Sequence, residues 1–460
     1  MLDSIIPHNY QNEKQIKSRM KNFFNEFKIS ELLRKSNFFK LSGASCFVVF
    51  KLIFMLVFTG KNLYQLLESK SAKIPCKKDA VYNFLNSVHY NWRKLLLLLS
   101  SKVIKSKIYP LTSEDRTNVL IIDDSLYRRA RSKTVELLAK VHDHSTNKLV
   151  KGFRMLTLGW SDGNSFIPVA FSLLSSSKQK HRINEVKTEI DKRTNGYKRR
   201  KEAVRKATET MFNLIEAACK YGLPTDYVLF DSWFAYPKII KKVLAYDLNV
   251  VCRLKAMYRV FYWYNGKKLN LKQLYNAVKK DKGRIAASVI VGLDSKKDTK
   301  AKVVFIRDDN NKDRWIALLS TDLEMKDEKV IQTYGKRWDI EVFFKMNKSY
   351  LKLAKEFQGQ SYDMMFAHTT IVFIRYIMLS LKVRQNEDSR TFGGVFMLFC
   401  DELSDIKFME ALLLIINSLK KTLNDCLKLS EQKINELLDY FFGLLPSYIK
   451  QPLGILNSES

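Results

Sequence analysis

The chain reads as an α/β protein with helical regions at both ends, and three observations carry that reading. First, two short apolar runs, Val119 to Ile122 and Tyr227 to Phe230, each end in aspartate, the pattern of buried strands whose carboxyl ends face a crevice. Second, residues from about 250 to 319 alternate as strands do, in VVCRLK, YRVFYWYNGKKL, RIAASVIVGL, KAKVVFIRDD and RWIALLST. Third, apolar residues up to about 115 and beyond 322 recur near i, i+3, i+4, the period of amphipathic helices.

Taken in order, residues 1–115 form a helical region. Its second helix opens on Lys77, Lys78, Asp79 and Tyr82, as a helix presented to DNA would; a helical subdomain with no such role fits the same residues. Residues 116–250 hold the first acid-ended strand, then two further strands around the turn Ser161-Asp162-Gly163-Asn164. A helix from about 200 to 221 and the second acid-ended strand complete this part. Residues 251–321 are β-rich, with turns at Asn265-Gly266, Asp309-Asn310 and Asn311-Lys312, and residues 322–382 return to helix. Residues 383–460 are a helical C-terminal region, a possible dimerisation surface. A chain of 460 residues suits two to four such units.

Composition narrows the partners. Lys and Arg number 79 against 47 Asp and Glu, a net charge of +32. Part of that excess fits an AT-rich coding sequence, which the abundant Asn, Ile and Tyr also fit; the rest points to a polyanion, most simply nucleic acid. The segment 178–206 alone carries twelve Lys or Arg, including Lys198, Arg199 and Arg200, and suits a phosphate-tracking surface. Six cysteines (Cys46, Cys76, Cys219, Cys252, Cys400, Cys426) form no CxxC, which favours a reducing, cytoplasmic compartment without disulfides or structural zinc. The N-terminal MLDSIIPHNYQNEKQIK is polar and unlike a secretory signal. The run from Ala44 to Gly60 is membrane-like but short and carries Lys51 at its middle, so a buried helix is expected and no membrane. His142, Asp143 and His144 lie close together, yet no third ligand accompanies the two histidines.

The chemistry gathers on acids. Asp123, with Asp124 as its alternative, and Asp231 close two strands, and Glu341 lies in YGKRWDIEVFFKMNK. At about 100° per residue, Tyr334, Arg337, Glu341, Lys345 and Lys348 share one helix face; Trp338, Phe343 and Phe344 are assigned to the core. Arg337 and Glu341 alone would be an ordinary i,i+4 ion pair. Beside two strand-end acids, Glu341 instead completes an all-oxygen cluster of the kind that holds two Mg²⁺ (or Mn²⁺) about 3.5–4 Å apart for phosphodiester chemistry.

These residues carry a resemblance. Tyr334-x2-Arg337-x3-Glu341-x6-Lys348 is similar to the Y-(2)-R-(3)-E-(6)-K signature of the insertion-sequence-four group of DDE-type transposases. IIDDS, LGWSDGNSFIPVAFSLL, VLFDSWFAYP and FAHTTIVFIRYIML follow the same order over about 118–381. The resemblance implies a ribonuclease-H-like catalytic core interrupted by a β-rich insertion, and metal-dependent cleavage of double-stranded DNA at terminal inverted repeats. Passage through a hairpin, strand transfer into target DNA, and a homodimer bringing two ends together are also implied. It implies Asp123, Asp231 and Glu341 as the metal-binding catalytic triad, with Tyr334, Arg337 and Lys348 on phosphates and Lys345 as a further contact. The family's pattern at that strand, acid, any residue, then Thr or Ser, implies Asp123 rather than Asp124, since Ser125 follows two places later. Trp315 is similar to an insertion-domain tryptophan that stacks on a flipped base, although a core tryptophan fits equally. His368 falls in the helix after the signature, where a buried hydrogen-bonding role serves as well as a catalytic one. The alternative to an active transposase is a catalytically inactive, transposase-derived DNA-binding protein.

Overall fold

A computed structural model describes residues 20–40, 42–59, 62–68, 75–113, 116–143, 146–187, 189–295, 298–308, 311–357, 359–384, 416 and 418–444; at 308 and 311–314 it describes the backbone alone. His144, Cys400, the turn at Asp309-Asn310, the polar N-terminal stretch and most of the C-terminal region assigned to dimerisation lie outside the described residues.

The expected α/β architecture is present. One mixed sheet contains β1 (Val119–Arg128), β2 (Ala139–Asp143), β3 (Lys148–Ser161), β4 (Phe166–Leu174), β5 (Tyr227–Phe230), β6 (Asn249–Leu254), β7 (Phe261–Tyr264), β8 (Lys267–Asn270), β9 (Ile285–Gly292), β10 (Lys300–Asp308) and β11 (Asn311–Ser320). At its centre the order is β4-β3-β1-β5-β6. β1, β3 and β4 form an antiparallel meander, and β5 and β6 run parallel to β1. That is the arrangement of a ribonuclease-H-like core. β11, β10, β9, β7 and β8 continue the sheet beyond β6, and β6 itself spans the expected boundary at 250/251.

Burial explains the central strands. Val119 to Ile122 and Val228 to Phe230 are inaccessible to solvent, because parallel strands covered on both faces have no polar side to show. The β3–β4 turn needs glycine at 163, where φ is +90° and an added Cβ would sit 3.1 Å from Lys336 Cε. Three strands rather than two further ones occupy 139–174, and the expected helix at 200–221 is two helices, Asn195–Ala203 and Ala207–Lys220. A short helix, Leu271–Ala277, interrupts the β-rich stretch, closed by a reciprocal Asn270–Gln273 capping box.

The helix Tyr362–Arg384 is buried along nearly its whole length, packed on β4 and on the helices Cys46–Met55, Lys78–Asn86, Trp92–Val103 and Trp338–Ser349. This helix is long and apolar enough to cross a membrane by length and composition, but its apolar window lies wholly inside the protein. The run containing Cys46–Met55 packs as a buried helix too: Val49, Phe50, Ile53 and Phe54 point inward and Lys51 outward. Lys77, Lys78 and Asp79, before and at the start of the helix Lys78–Asn86, are exposed.

Buried charges tie these layers together. Arg375, fully buried, donates to the Phe54 carbonyl at 2.9 Å and to Glu356 at 2.8 Å, and His368 shares the same carboxylate at 2.8 Å. Arg93 bonds Glu202 and the Phe171 carbonyl. Arg199 and Arg200, expected on a DNA-facing surface, are instead turned inward. Arg199 pairs with Asp363 and donates to the Tyr90 carbonyl at 2.7 Å, while Arg200 pairs with Glu136 at 2.7 Å and Asp363 at 2.7 Å. Two buried carboxylates need counter-charges more than the surface needs two more cations. Of the three basic residues, Lys198 alone is exposed.

Two consequences are measurable. Arg200→Ala leaves Glu136 without its counter-ion and Asp363 with Arg199 alone, and is expected to lower unfolding free energy by about 3–5 kcal/mol, whereas Lys198→Ala changes it by less than about 0.5 kcal/mol; urea unfolding distinguishes them. Burial alone would raise the Glu356 pKa, but Arg375 and His368 hold it near 2. A carboxylate depressed in the folded state contributes stability above its unfolded pKa, near 4.5, that is lost as pH falls toward 2. Thermal melting between those limits is therefore expected to fall more steeply for the natural protein than for Glu356→Gln.

Candidate active site

Register builds the site. β1 and β5 pair with Ile122 opposite Phe230, and β5 and β6 pair with Phe230 opposite Cys252. The next residues, Asp123 within β1, Asp231 just beyond β5 and Arg253 within β6, therefore stand side by side at one height, and β1 does not end at its acid as expected but runs on to Arg128. All three line a cleft of about 580 Å³. Brought to it from the helical side are Tyr334, Arg337, Glu341, Lys345 and Lys348.

The expected single helix from Tyr334 to Lys348 is in fact two, Asp327–Gly335 and Trp338–Ser349, joined at Lys336-Arg337. Lys336 pins this elbow by donating to the Thr117 carbonyl at 2.5 Å, and Asp339 accepts from Ser161 at 2.5 Å. Phe343 anchors the second helix, with ring centroids 4.9 Å from Phe166 of β4 and 4.7 Å from Tyr376. Phe343 and Phe344 are buried as expected, but Trp338 is 62% exposed and is not a core residue. At about 100° per residue Trp338 falls only about 40° from Tyr334, beside Lys345 on the charged face, so its exposure follows from the helical phase; apolar character alone suggested the core.

Arg337 is the hub of the charges. Its guanidinium donates to Asp123 Oδ2 at 3.0 Å and to Glu341 Oε1 at 2.5 Å, bridging strand and helix. Asp124 also lines the cleft but is held by Arg154, which donates to it through Nε at 2.9 Å and Nη2 at 2.5 Å. The Trp233 N–H donates to Asp231 Oδ1 at 2.9 Å, and Lys348 to Ser125 Oγ at 2.6 Å.

Burial and two neighbouring carboxylates, Asp231 and Asp124, push Asp123 up to about 7 against the pull of Arg337. Asp231 is raised as well, first by burial and then by Asp124. Burial pushes the Tyr334 phenol up to about 12 and lowers the Lys348 ammonium. The cleft is thus a concentration of negative charge in a basic chain, answered by arginines.

A divalent ion suits such a donor set, because hard cations take carboxylate oxygens and relieve like-charge repulsion. Among the described residues, no three His, Cys, Asp or Glu side chains stand as a ready-made cage; Arg337 lies between Asp123 and Glu341. His142 is elsewhere, with Nε2 3.0 Å from Asn147 Oδ1. His368 faces Glu356 inside the fold.

Trp315 does not present a bare ring for base stacking. Tyr275 stacks on it at 4.6 Å and Phe305 meets it edge-on at 5.3 Å, so the core alternative describes its surroundings. Sequence reasoning missed Arg154, Arg253 and Trp233. Arg253 was accessible from register, since it follows Cys252 as Asp231 follows Phe230. Arg154 depends on a cross-strand diagonal with no local signature.

Comparison with known families adds an independent line. A family described as DDE superfamily endonuclease matches residues 50–267, and one described as archaeal putative transposase ISC1217 matches residues 177–385. Comparison with curated proteins gives no match. The first match contains Asp123 and Asp231 and the second contains Asp231 and Glu341; together they support a DDE-type transposase, an enzyme that acts on DNA.

Proposed function

We propose that Asp123, Asp231 and Glu341 are the catalytic triad of an insertion-sequence transposase of the insertion-sequence-four group, cutting DNA at terminal inverted repeats and joining it to target DNA. The observation that carries the proposal is the shared cleft: two acids in register on parallel strands and a third on a helix docked across them. Asp123 is preferred to Asp124 because Arg154 already neutralises Asp124 through two bonds. In this reading β7 to β11 are the insertion between the second and third acids.

The triad would hold two divalent ions, Mg²⁺ or Mn²⁺, which supply an activated water or 3′-hydroxyl and stabilise the leaving oxygen. The chain's own residues do the rest. Arg337 turns from the carboxylates toward a phosphate, a bidentate partner its planar fork suits. Lys345 and Lys348 add positive charge along the same wall. Tyr334 remains a protonated donor at neutral pH, since its pKa lies near 12. Outside the cleft, Lys198 and the N-terminal helices would track the DNA backbone. A hairpin intermediate and a homodimer assembled on two DNA ends complete the proposal, with the enzyme working in the cytosol.

Glu341→Gln keeps the shape of the cleft and removes one carboxylate charge. Nicking of a duplex carrying the element's ends is expected to fall by more than the roughly 10–100-fold of an outer-shell change, while gel-shift affinity for the same duplex is retained. Undiminished nicking by this variant would remove Glu341 from the triad. Retained binding with no nicking by the natural protein at any Mg²⁺ or Mn²⁺ concentration would favour the inactive DNA-binding alternative.

A further inference from the structure

We infer that the loops following β5 and β6 form a stacking platform for an unpaired DNA strand at the mouth of the cleft. Two loops meet there. The first carries Trp233 and Tyr236, which are 53% and 38% exposed; the second carries Tyr258, 73% exposed. Tyr236 donates its hydroxyl to Met257 Sδ at 3.7 Å, which joins the loops. Cations are interleaved with the rings: Lys255 Nζ lies 5.5 Å from the Trp233 ring centroid, and the Arg259 guanidinium lies 5.1 Å from that of Tyr258. Arg253 continues the positive charge into the cleft.

Single exposed aromatics are ordinary, but three on two touching loops, alternating with three cations, form a surface of defined chemistry. Aromatic faces beside backbone-neutralising cations are what binds single-stranded nucleic acid, because each base offers a π-face and each nucleotide a phosphate. A duplex keeps its bases stacked on one another, so the platform discriminates by strandedness rather than by sequence. Position supplies the direction of the strand. Trp233 is two residues beyond Asp231, which its own backbone N–H holds, so a base on this ring lies next to the acids. The location beside a scissile phosphate rests on the proposed triad; the stacking chemistry does not.

The test is fluorescence anisotropy of the full-length protein with a labelled dT20 and with a 20-base-pair duplex, both in EDTA. No cleavage occurs under these conditions, so failure of the triad cannot mimic failure of the platform. Trp233→Ala and Tyr258→Ala are each expected to weaken dT20 binding by roughly tenfold while duplex affinity stays within about twofold. Trp233→Phe, which keeps an aromatic face, is expected to restore most of the dT20 affinity, and this separates stacking from damage to the fold. Unchanged dT20 binding in both alanine variants would overturn the inference. So would an equal loss on dT20 and duplex, or a phenylalanine variant as weak as the alanine one.

Discussion

Two carboxylates stand side by side on adjacent parallel strands at the same height, and their mutual repulsion is the constraint around which this molecule is arranged. The pairing of Ile122 with Phe230 makes Asp123 and Asp231 neighbours whether or not the local chain favours it. Burial sharpens the conflict, as the rise of Asp123 to about 7 records. The fold answers with fixed cations: Arg337 on Asp123 and Glu341, and Arg154 on Asp124. Each arginine comes from a different element, so the charge balance of the cleft also fixes how strand and helix sit against each other.

The same logic recurs deeper in the protein, with a different outcome. Arg199, Arg200 and Arg375 are buried against Asp363, Glu136 and Glu356, away from the cleft. Buried ion pairs add little stability over apolar packing, but a broken one is costly, so they specify a single docking of the helices. They also show why net charge is a poor map of a binding surface. A cation in a basic run can be an internal counter-ion, and only exposure separates the two.

Much of this was legible in the sequence, and the failures have definite causes. The apolar runs before Asp123 and Asp231 could be read because buried central strands show no polar side, but β1 does not end at Asp123: it runs on to Arg128, paired with β3. The spacing from Tyr334 to Lys348 identified residues that do line one cleft. The elbow at Lys336-Arg337 did have a local signal in Gly335, the last residue of the first helix; the bend itself is held by the Thr117 carbonyl, more than 200 residues away in sequence. Trp338 lies on the charged face by the same helical count that groups Tyr334 with Lys345; its apolar ring alone suggests the core, and it is exposed. The helix Leu271–Ala277 did have a local signal, the Asn270–Gln273 capping box, masked by the surrounding strand-like residues. Arg199 and Arg200 were misread because their acids, Glu136 and Asp363, lie far away in the chain.

The proposed triad Asp123, Asp231 and Glu341 would hold divalent metal, with Arg337 as its counter-ion when no metal is bound. Mn²⁺ titration of the purified protein, followed by electron paramagnetic resonance of the free ion, tests this without DNA or turnover. Saturable Mn²⁺ binding is expected, weakened at least about tenfold in Asp123→Asn and in Glu341→Gln and tightened in Arg337→Ala, where the competing cation is gone. Equal Mn²⁺ affinity in the natural protein and in both acid variants would contradict it.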